Sequence, residues 1–530
     1  MCDIIIIMDK LQYDGPVVLV ILDGVGLAPD GPGNAVAKAR TPFLGKVISE
    51  YPRIALEASG EKVGLLPGTM GNSEVGHNTI GCGQIIKHGI AHIEEAFLNG
   101  SIWQSAAWQT LISRLQANHG TLHFAGIFSD GGVHSHIDHL ERMISQAYKE
   151  GIHKMRIHCV FDGRDVAPQS EPKYIERFEN YTKQFGDADI RIASGGGRMT
   201  TIADRYNNDR SMVERGFAMM VHGKSENYFP SATDAIKNFR AKDPKIQDQY
   251  LPDFVVVGDN SAPIGKVQDG DVVVYIDFRA DRAVEIAEVF ENYSSSDILF
   301  VGMTEYDSDH HLPKNRLVEP NYITHTLHEF IADQKLHQLA VSETVKFGHI
   351  TYYFDGNSYD EAPLEKFIEI PSYIEPFDTR PWMKAAEITD TVLNALDDQQ
   401  NLPKFIRVNY PGGDMVGHFA DLNSTIIAME AIDIQLARLG KKVDELKGCL
   451  IITADHGNAE ELFDENGQPK TSHSMNKVPF AIYDNTTNRN RYQLKNLQNP
   501  GLSNIAATIA TLMGAEFYPK EWDEPLITVL

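Results

Sequence analysis

Aspartate and histidine residues stand in short glycine-flanked loops toward both ends of this chain. They are Asp23, Asp414, His418, Asp455, His456 and His473. Asp414 and His418 are four residues apart and would share one face of a helix. Mixed carboxylate and imidazole ligation suits divalent ions such as Mn²⁺, Zn²⁺, Co²⁺ or Mg²⁺, and two such ions can clamp the attacking and leaving oxygens of a transferred group. For Asp23 alone, a turn aspartate before Gly24 is the simpler interpretation, but the whole set predicts a metal centre.

A candidate nucleophile, Ser73, lies in the glycine-rich stretch MGNSEVGHN at 70–78. The stretch leads into a segment that reads as helical as far as Ile86, and a serine at a helix start faces free N–H groups that favour a phosphate. Its hydroxyl needs a metal or a cation to become nucleophilic. An N-cap role for Ser73 is the ordinary interpretation and is compatible with this one. Thr69 and Thr79 are rival hydroxyls that spacing does not exclude.

The middle of the chain is rich in arginines that stand in loops beside glycine or aspartate. They are Arg164, Arg198, Arg205, Arg279 and Arg282. The planar guanidinium group matches the oxygens of carboxylates and phosphates, so the group predicts binding of a substrate that carries both. Surface ion pairs with neighbouring aspartates are the alternative, and for any single arginine the better one.

Three further residues complete the candidate chemistry. His134 and Asp165 stand in loops of the same kind and are candidates to move protons on a hydroxyl of the substrate. Lys346 follows a short apolar run, and a lysine near metals and a phosphate would stabilise charge during transfer. The segment 134–139 offers an alternative metal site, which we disfavour because Asp138 and His139 are expected to begin a helix.

Short apolar runs of strand character, alternating with amphipathic helical segments, must position these loops. The predicted strands are Val17–Leu22, Leu122–Phe128, Met155–Phe161, Ile190–Ala193, Val272–Ile276, Ile298–Gly302, Phe405–Asn409 and Cys449–Thr453. Such alternation predicts α/β architecture with largely parallel sheets, and ligands then bind at the carboxyl ends of the strands. The metal-type motifs lie outside the arginine-rich segment. We therefore expect two domains, a discontinuous one over 1–88 and 322–530 and an inserted one over 92–318.

Together these motifs resemble those of the cofactor-independent phosphoglycerate mutases, members of the alkaline-phosphatase-like superfamily. The resemblance runs in order along nearly the whole chain. It rests on LDGVG at 22–26, MGNSEVGHN at 70–78, SDGGVHSH at 129–136, FDGRD at 161–165, FRADRA at 278–283, SETVKFGHITYYF at 342–354, DMVGH at 414–418, TADHGN at 453–458 and TSHS at 471–474. It implies an alkaline-phosphatase-like domain with an inserted transferase domain, each a largely parallel sheet flanked by helices.

The resemblance also implies the roles of individual residues. One metal would be held by Asp414, His418 and His473, and the other by Asp23, Ser73, Asp455 and His456. The substrate would be bound by His134, Arg164, Asp165, Arg198, Arg205, Arg279, Arg282 and Lys346. Ser73, Asp165 and Lys346 would be catalytic. The implied reaction interconverts 3-phosphoglycerate and 2-phosphoglycerate in glycolysis and gluconeogenesis through a phosphoserine at Ser73, without 2,3-bisphosphoglycerate. Manganese is the expected metal, with magnesium or cobalt as alternatives.

Net charge, apolar run length and cysteine pattern limit the classes of partner that we expect this protein to bind. The 530 residues carry a formal net charge of −25, which disfavours nucleic acid and anionic membranes as partners. The longest apolar run near the start is too short to span a membrane, and the four scattered cysteines favour a reducing compartment. We therefore expect a cytoplasmic monomer that acts on a small molecule. The alternatives are a metal-dependent phosphatase, sulfatase or phosphopentomutase of the same superfamily, or an inactive binding module.

Overall fold

The computed structural model describes residues 11–202, 209–293, 297–307, 310–321, 323–358, 361–398 and 400–530. Arg205 therefore lies outside the described residues. The chain divides into two compact units. Unit 1 comprises Met1–His88 and Asn321–Leu530, and unit 2 comprises Gly89–Pro320.

The strands are numbered in chain order. They are β1 (Val17–Leu22), β2 (Arg53–Leu56), β3 (Leu122–Ile127), β4 (Lys154–Phe161), β5 (Asp189–Gly197), β6 (Tyr228–Phe229), β7 (Phe254–Val256), β8 (Val272–Tyr275), β9 (Leu299–Gly302), β10 (Gln338–Glu343), β11 (Glu365–Ile370), β12 (Phe405–Tyr410), β13 (Cys449–Thr453), β14 (Val478–Tyr483), β15 (Tyr492–Leu494) and β16 (Ile527–Val529).

The α-helices are numbered in the same way. They are α1 (Ala35–Lys38), α2 (Pro42–Glu50), α3 (Ser73–Cys82), α4 (Gly89–Asn99), α5 (Ser101–Gln104), α6 (Ala106–Asn118), α7 (Ile137–Lys149), α8 (Glu171–Thr182), α9 (Arg210–His222), α10 (Ala232–Lys242), α11 (Val284–Asn292), α12 (Leu327–Asp333), α13 (Thr344–Gly348), α14 (Ala385–Asp397), α15 (Gly412–Gly417), α16 (Leu422–Glu445) and α17 (Asn504–Leu512). Among the described residues, every helix is too short or too polar to cross a bilayer.

Unit 1 is built on a seven-stranded sheet in the order β11-β10-β12-β1-β13-β14-β2. The five strands from β11 to β13 are parallel, whereas β14 and β2 pair antiparallel at one edge. Strand β1 is buried along its whole length, as expected of a central parallel strand covered on both faces. A separate two-stranded antiparallel pair joins β15 and β16.

Unit 2 is built on a second seven-stranded sheet, in the order β6-β7-β5-β4-β3-β8-β9, in which only the β5–β7 pair is antiparallel. Its two faces are both buried, and the side chains alternate between them. In β8, Val272 and Val274 belong to one apolar cluster and Val273 and Tyr275 to another. This period of two explains why the strand reads as a continuous apolar run.

The predicted fold class is confirmed, since both sheets are largely parallel and flanked by helices. All eight predicted strands are present, but β5 extends to Gly197, because the serine and glycines that follow Ala193 continue the pairing with β4. The helix from Ser73 was predicted too long. It ends at Cys82 because Gly83 adopts a left-handed conformation with φ of 64°.

Candidate functional site

Four neighbouring parallel strands of unit 1 end at one edge of the sheet, and each is followed by a predicted site residue. Asp23 follows β1 directly, and Asp455 follows β13. Asp414 lies in the short helix α15 after β12, and Lys346 lies in helix α13 after β10. Because parallel strands share the direction of their carboxyl ends, β10-β12-β1-β13 bring these four side chains together.

Helix α3 brings Ser73 to this edge. Asn72, not Ser73, is the N-cap, and its side chain accepts a hydrogen bond from the N–H of Val75. The N-cap interpretation of Ser73 is therefore wrong, and the Ser73 hydroxyl is available for other contacts. Two glycines allow the close approach: a Cβ on Gly71 would lie 2.0 Å from a backbone oxygen of Ala58, and one on Gly76 would lie 2.6 Å from the backbone oxygen of Asp455.

The Ser73 hydroxyl is buried among charged groups. Its Oγ lies 2.5 Å from Lys346 Nζ and 2.9 Å from His456 Nε2, and it donates to Asp23 Oδ1 at 3.1 Å. The rival hydroxyl of Thr79 donates instead to the carbonyl one turn back in α3, and Thr69 is exposed. Of the three candidate hydroxyls, Ser73 is therefore the one that the charged groups contact.

Asp414, His418 and His473 converge at the same edge. Asp414 Oδ1 lies 3.1 Å from His418 Nε2 and 3.2 Å from His473 Nε2, and the two imidazole nitrogens are 3.3 Å apart. Both rings use Nδ1 on backbone carbonyls, His418 on Thr471 at 2.6 Å and His473 on Gly71 at 2.8 Å. Because a carbonyl only accepts, each Nδ1 carries the proton and each Nε2 lone pair points into the cluster. The Asp414 oxygen and the two Nε2 lone pairs repel one another unless a cation or a proton lies between them, so these residues fit a divalent cation.

A second group forms around Asp23, Asp455 and His456. His456 Nε2 lies 3.5 Å from Asp23 Oδ1 and 3.5 Å from Asp455 Oδ2. Asp455 Oδ2 is buried and accepts no hydrogen bond from the described residues, a costly state for a carboxylate oxygen that a cation would relieve. With Ser73 Oγ beside Asp23, this group also fits a divalent cation.

Lys346 is the ammonium group at the centre of these carboxylates. Its Nζ lies 2.9 Å from Asp23 Oδ1 and 2.7 Å from Asp414 Oδ2. Burial alone would raise the pKa of both carboxyls and lower that of Lys346, but the attraction outweighs burial: the pKa of each aspartate lies below its usual value, and that of Lys346 above it. Burial likewise lowers the pKa of His456, but Asp455 and Asp23 outweigh it and raise that pKa to about 9.

Two further residues, neither of them predicted as a site residue, belong to this cluster. His77 Nδ1 contacts the Ser73 carbonyl at 2.8 Å and lies 3.3 Å from Asp455 Oδ2. Asn409 donates to Asp23 Oδ2 at 2.7 Å and lies 3.0 Å from His77 Nε2. His77 stands four residues after Ser73 in a predicted helix, a spacing that places both side chains on one face and could have indicated its role. Asn409 ends a predicted strand, and nothing in the sequence indicates where its side chain points.

In unit 2, the strands β3 and β4 and the end of β5 bring His134, Asp165 and Arg198 together. The Arg198 guanidinium is buried and donates to Asp165 Oδ2 at 2.5 Å, to Asp162 Oδ1 at 2.6 Å and, through its other terminal nitrogen, to His134 Nε2 at 2.7 Å. Burial and the Arg198 charge lower the pKa of His134 to about 3, so its ring is neutral near pH 7. Arg198 is thus an internal partner of the two candidate proton-transfer residues.

The remaining predicted arginines of unit 2 are placed differently. Arg164 is exposed in the loop after β4. Arg279 is half exposed and its Nε lies 3.5 Å from Asp281, whereas Arg282 is buried in the short 3₁₀ turn Ala280–Arg282. His134 Nδ1 lies 3.5 Å from Asp281 Oδ1, which links the loop after β3 with the loop after β8. The second half of the alternative site at 134–139 is helical, because α7 begins at Ile137 with His136 as its N-cap.

Comparison with known proteins matches residues 15–517 to the model of the metalloenzyme superfamily. A Leptospira interrogans protein named probable 2,3-bisphosphoglycerate-independent phosphoglycerate mutase is 46% identical, and the alignment covers 94% of this chain and 95% of that protein. The 2,3-bisphosphoglycerate-independent phosphoglycerate mutase of Trypanosoma brucei brucei is 38% identical, with 97% of each chain covered. The crystal structure of Leishmania mexicana phosphoglycerate mutase at low cobalt concentration superposes with a TM-score of 0.70 at 36% identity and covers 98% of this chain and 100% of that one. By sequence and by structure, the chain belongs to the 2,3-bisphosphoglycerate-independent phosphoglycerate mutases of the metalloenzyme superfamily.

Proposed function

We propose that this chain interconverts 3-phosphoglycerate and 2-phosphoglycerate through a phosphoserine at Ser73, without 2,3-bisphosphoglycerate. The observation that carries the proposal is the position of Ser73 Oγ, which contacts Lys346, His456 and Asp23 beside clusters of carboxylate and imidazole groups that could hold metal ions. The family membership supports the reaction itself.

Two divalent cations are proposed, with manganese first and magnesium or cobalt as alternatives. One would be held by Asp414, His418 and His473, and the other by Asp23, Ser73, Asp455 and His456. When bound, such ions polarise phosphoryl oxygens and stabilise a serine alkoxide. The mutual positions of the carboxylate oxygens and the Nε2 atoms support this assignment.

The chain's own residues prepare the nucleophile. Lys346 donates a hydrogen bond to Ser73 Oγ and so favours the alkoxide over the hydroxyl. Ser73 is the first residue of α3, where free N–H groups and the positive end of the helix dipole favour a phosphate. Ser73 enters the first transfer as the alkoxide, its proton already released to solvent. A phosphorus–oxygen bond to the substrate breaks, one to Ser73 Oγ forms, and the freed glycerate oxygen takes up a proton from Asp165. In the second transfer, the other hydroxyl of glycerate returns its proton to Asp165 and takes the phosphoryl group, and Ser73 leaves as the alkoxide.

The substrate's carboxylate and hydroxyls are assigned to the arginine-rich cluster. Asp165 is the proposed acid–base that exchanges protons with the two hydroxyls, and the guanidinium of Arg198 holds it in place together with His134. Arg164, Arg198, Arg279 and Arg282 are proposed to bind the anionic groups of the substrate, together with His134. Arg205, outside the described residues, stays a prediction from the sequence, and Lys346 is assigned to the phosphoryl group.

This activity would place the protein in glycolysis and gluconeogenesis, and we propose a cytoplasmic monomer that acts on phosphoglycerate. The test is a coupled assay in which purified protein receives 3-phosphoglycerate and Mn²⁺, and enolase reports 2-phosphoglycerate. Turnover that EDTA abolishes and that does not require 2,3-bisphosphoglycerate is the expected result. Release of inorganic phosphate without 2-phosphoglycerate would instead indicate a phosphatase and refute the proposal.

The phosphoserine is tested separately. Ser73→Ala should abolish turnover while leaving the melting temperature close to that of the parent protein, and acid quenching of the parent enzyme should trap phosphate on Ser73. Thr69→Ala is the matched control, because Thr69 is an exposed hydroxyl in the same loop and should retain full activity. Substantial turnover by Ser73→Ala would rule out the phosphoserine.

A further inference from the structure

Glu460 is a buried carboxylate close to the candidate metal ligands, and it contacts three separate loops. Its Oε2 accepts the N–H groups of Gly26 at 2.8 Å and Asn458 at 2.9 Å. Its Oε1 accepts the hydroxyl of Ser474 and the amide of Asn476, the latter at 3.0 Å. A carboxylate offers about four lone-pair positions, so these four neutral donors use its whole capacity.

Each of these loops carries proposed ligands. The first runs over 23–26 and contains Asp23, the second over 455–460 contains Asp455 and His456, and the third over 471–476 contains His473. They are called the ligand loops below. Glu460 itself lies outside both ligand groups, so its contacts fix the loops and leave the ligand atoms free.

The glycines of two motifs are explained by this carboxylate. A Cβ on Gly26 would lie 2.3 Å from Glu460 Oε1, and one on Gly457 would lie at the same distance. Real Cβ atoms do not approach an oxygen this closely. The last glycine of LDGVG and the glycine after His456 therefore leave the space that Glu460 fills.

The network reaches the fourth ligand-bearing segment through Asn458. Its backbone N–H donates to Glu460, and its side-chain amide donates to Asp414 Oδ1 at 3.2 Å. A Cβ on Gly417 would lie 2.6 Å from Asn458 Oδ1, so helix α15 packs directly on this amide. Glu460 thus acts, directly or through Asn458, on every segment that carries a proposed metal ligand except helix α3.

We infer that Glu460 is a positioning residue that sets the metal affinity of the site by holding the ligand loops in register. The inference rests on the proposed function, since it concerns the same metal site. Because groups that orient metal ligands typically change metal affinity by about 10–100-fold, loss of Glu460 should weaken Mn²⁺ binding by at least about tenfold. At saturating Mn²⁺ the loops are held by the metal, so kcat should recover while the Mn²⁺ concentration for half-maximal activity stays raised.

The experiment measures Mn²⁺ binding to the full-length metal-free protein by titration calorimetry for the parent, Glu460→Ala and Glu460→Gln. Glutamine fills the same space and still accepts both backbone N–H groups, but its –NH2 cannot accept from Ser474 or Asn476, so Glu460→Gln should weaken Mn²⁺ binding less than Glu460→Ala does. Asp433→Ala is the matched control: Asp433 is a buried carboxylate of unit 1 that accepts two backbone N–H groups at the start of α2. It should lower the melting temperature and leave Mn²⁺ affinity within about twofold.

Equal Mn²⁺ affinity of Glu460→Ala and the parent would overturn the inference, as would an equally large loss in Asp433→Ala. If Glu460→Ala does not fold, Ser474→Ala removes one of the four donors, and an unchanged Mn²⁺ affinity in that variant would overturn the inference. Failure of the parent protein itself to bind Mn²⁺, Mg²⁺ or Co²⁺ would instead overturn the proposed function.

Discussion

Replacing Lys346 by methionine should separate catalysis from metal binding. Methionine keeps the length and the apolar part of the side chain but removes the ammonium that contacts Ser73 Oγ, Asp23 and Asp414. The change leaves every proposed metal ligand in the chain. Its consequences for rate, metal affinity and stability therefore follow from one lost positive charge.

The rate should fall because the ammonium stabilises the charge that develops on Ser73 Oγ. Loss of one such donor typically costs about 10²–10³ in kcat, or about 2.7–4 kcal/mol. Stability of the metal-free protein should fall as well. At an effective dielectric constant of about 20, two unit charges about 4 Å apart attract by about 4 kcal/mol, and Lys346 makes two closer contacts. After the cost of burying the charges, removal of one partner of such a group costs about 3–5 kcal/mol.

Whereas the rate and the stability of Lys346→Met should fall, its affinity for Mn²⁺ should not. The ammonium occupies oxygens of Asp23 and Asp414 that are proposed ligands and repels a cation, so Lys346→Met should bind Mn²⁺ at least as tightly as the parent. The enolase-coupled assay at saturating Mn²⁺ gives kcat, calorimetry gives the affinity, and added Mn²⁺ should restore most of the lost stability. Lys447→Met, which removes an exposed lysine of the same unit, is the control and should change none of these.

Two results would refute this reasoning. A kcat within about threefold of the parent would show that the ammonium does not assist the transfer. An Mn²⁺ affinity about tenfold weaker would show that Lys346 supports the metal site instead of competing with it.

Three further predictions concern protons, packing and the arginine cluster. Because carboxylates raise the pKa of His456 to about 9, metal binding at about pH 7 should release a proton, and metal affinity should increase with rising pH. Calorimetry in two buffers of different ionisation enthalpy measures the released proton. A metal affinity that is independent of pH from about 6 to 8 would contradict this prediction. Gly76→Ala should lower the melting temperature and the activity together, since its Cβ would lie 2.6 Å from the Asp455 backbone; an unchanged variant would show that α3 can shift. Arg198→Ala should destabilise the protein by about 3–5 kcal/mol in denaturant titrations, because its guanidinium is buried in ion pairs. Arg279→Ala should leave stability unchanged and raise KM, because Arg279 is half exposed. Equal losses of stability in the two variants would contradict this distinction.

The sequence predicts which edge of each sheet carries the candidate site residues, because the residue pattern that marks this edge is local. An apolar run followed by Asp-Gly or Asp-His marks both the strand and its polar end, as for Asp23 after β1 and Asp455 after β13. The fold class follows from the same alternation. The end of α3 was missed because Gly83 stops the helix through its φ angle, whereas the apolar pattern continues beyond it.

Contacts between distant segments could not be predicted. Arg198 was predicted to bind substrate anions, and its ion pairs with Asp162 and Asp165 had no signal in the sequence. Asn409 and Glu460 are ordinary residue types in ordinary positions, and each contacts a loop that is distant in sequence, Asn409 at Asp23 and Glu460 at Gly26. A single sequence records the spacing within a loop but not which loops meet.

The structure also indicates why neutral hydrogen bonds surround the ligand groups. Each carbonyl that accepts Nδ1–H from His418 or His473 fixes the tautomer without adding a charge that would compete with the metal. Asn409 orients Asp23 in the same way, and the charge of Glu460 is compensated by hydrogen bonds from neutral donors away from the ligand atoms. Lys346 is the exception among these partners, since it places a full positive charge directly on ligand oxygens. That exception is what an enzyme needs if the same ammonium must also meet the phosphoryl group, and it is why Lys346→Met should lower the rate without weakening metal binding.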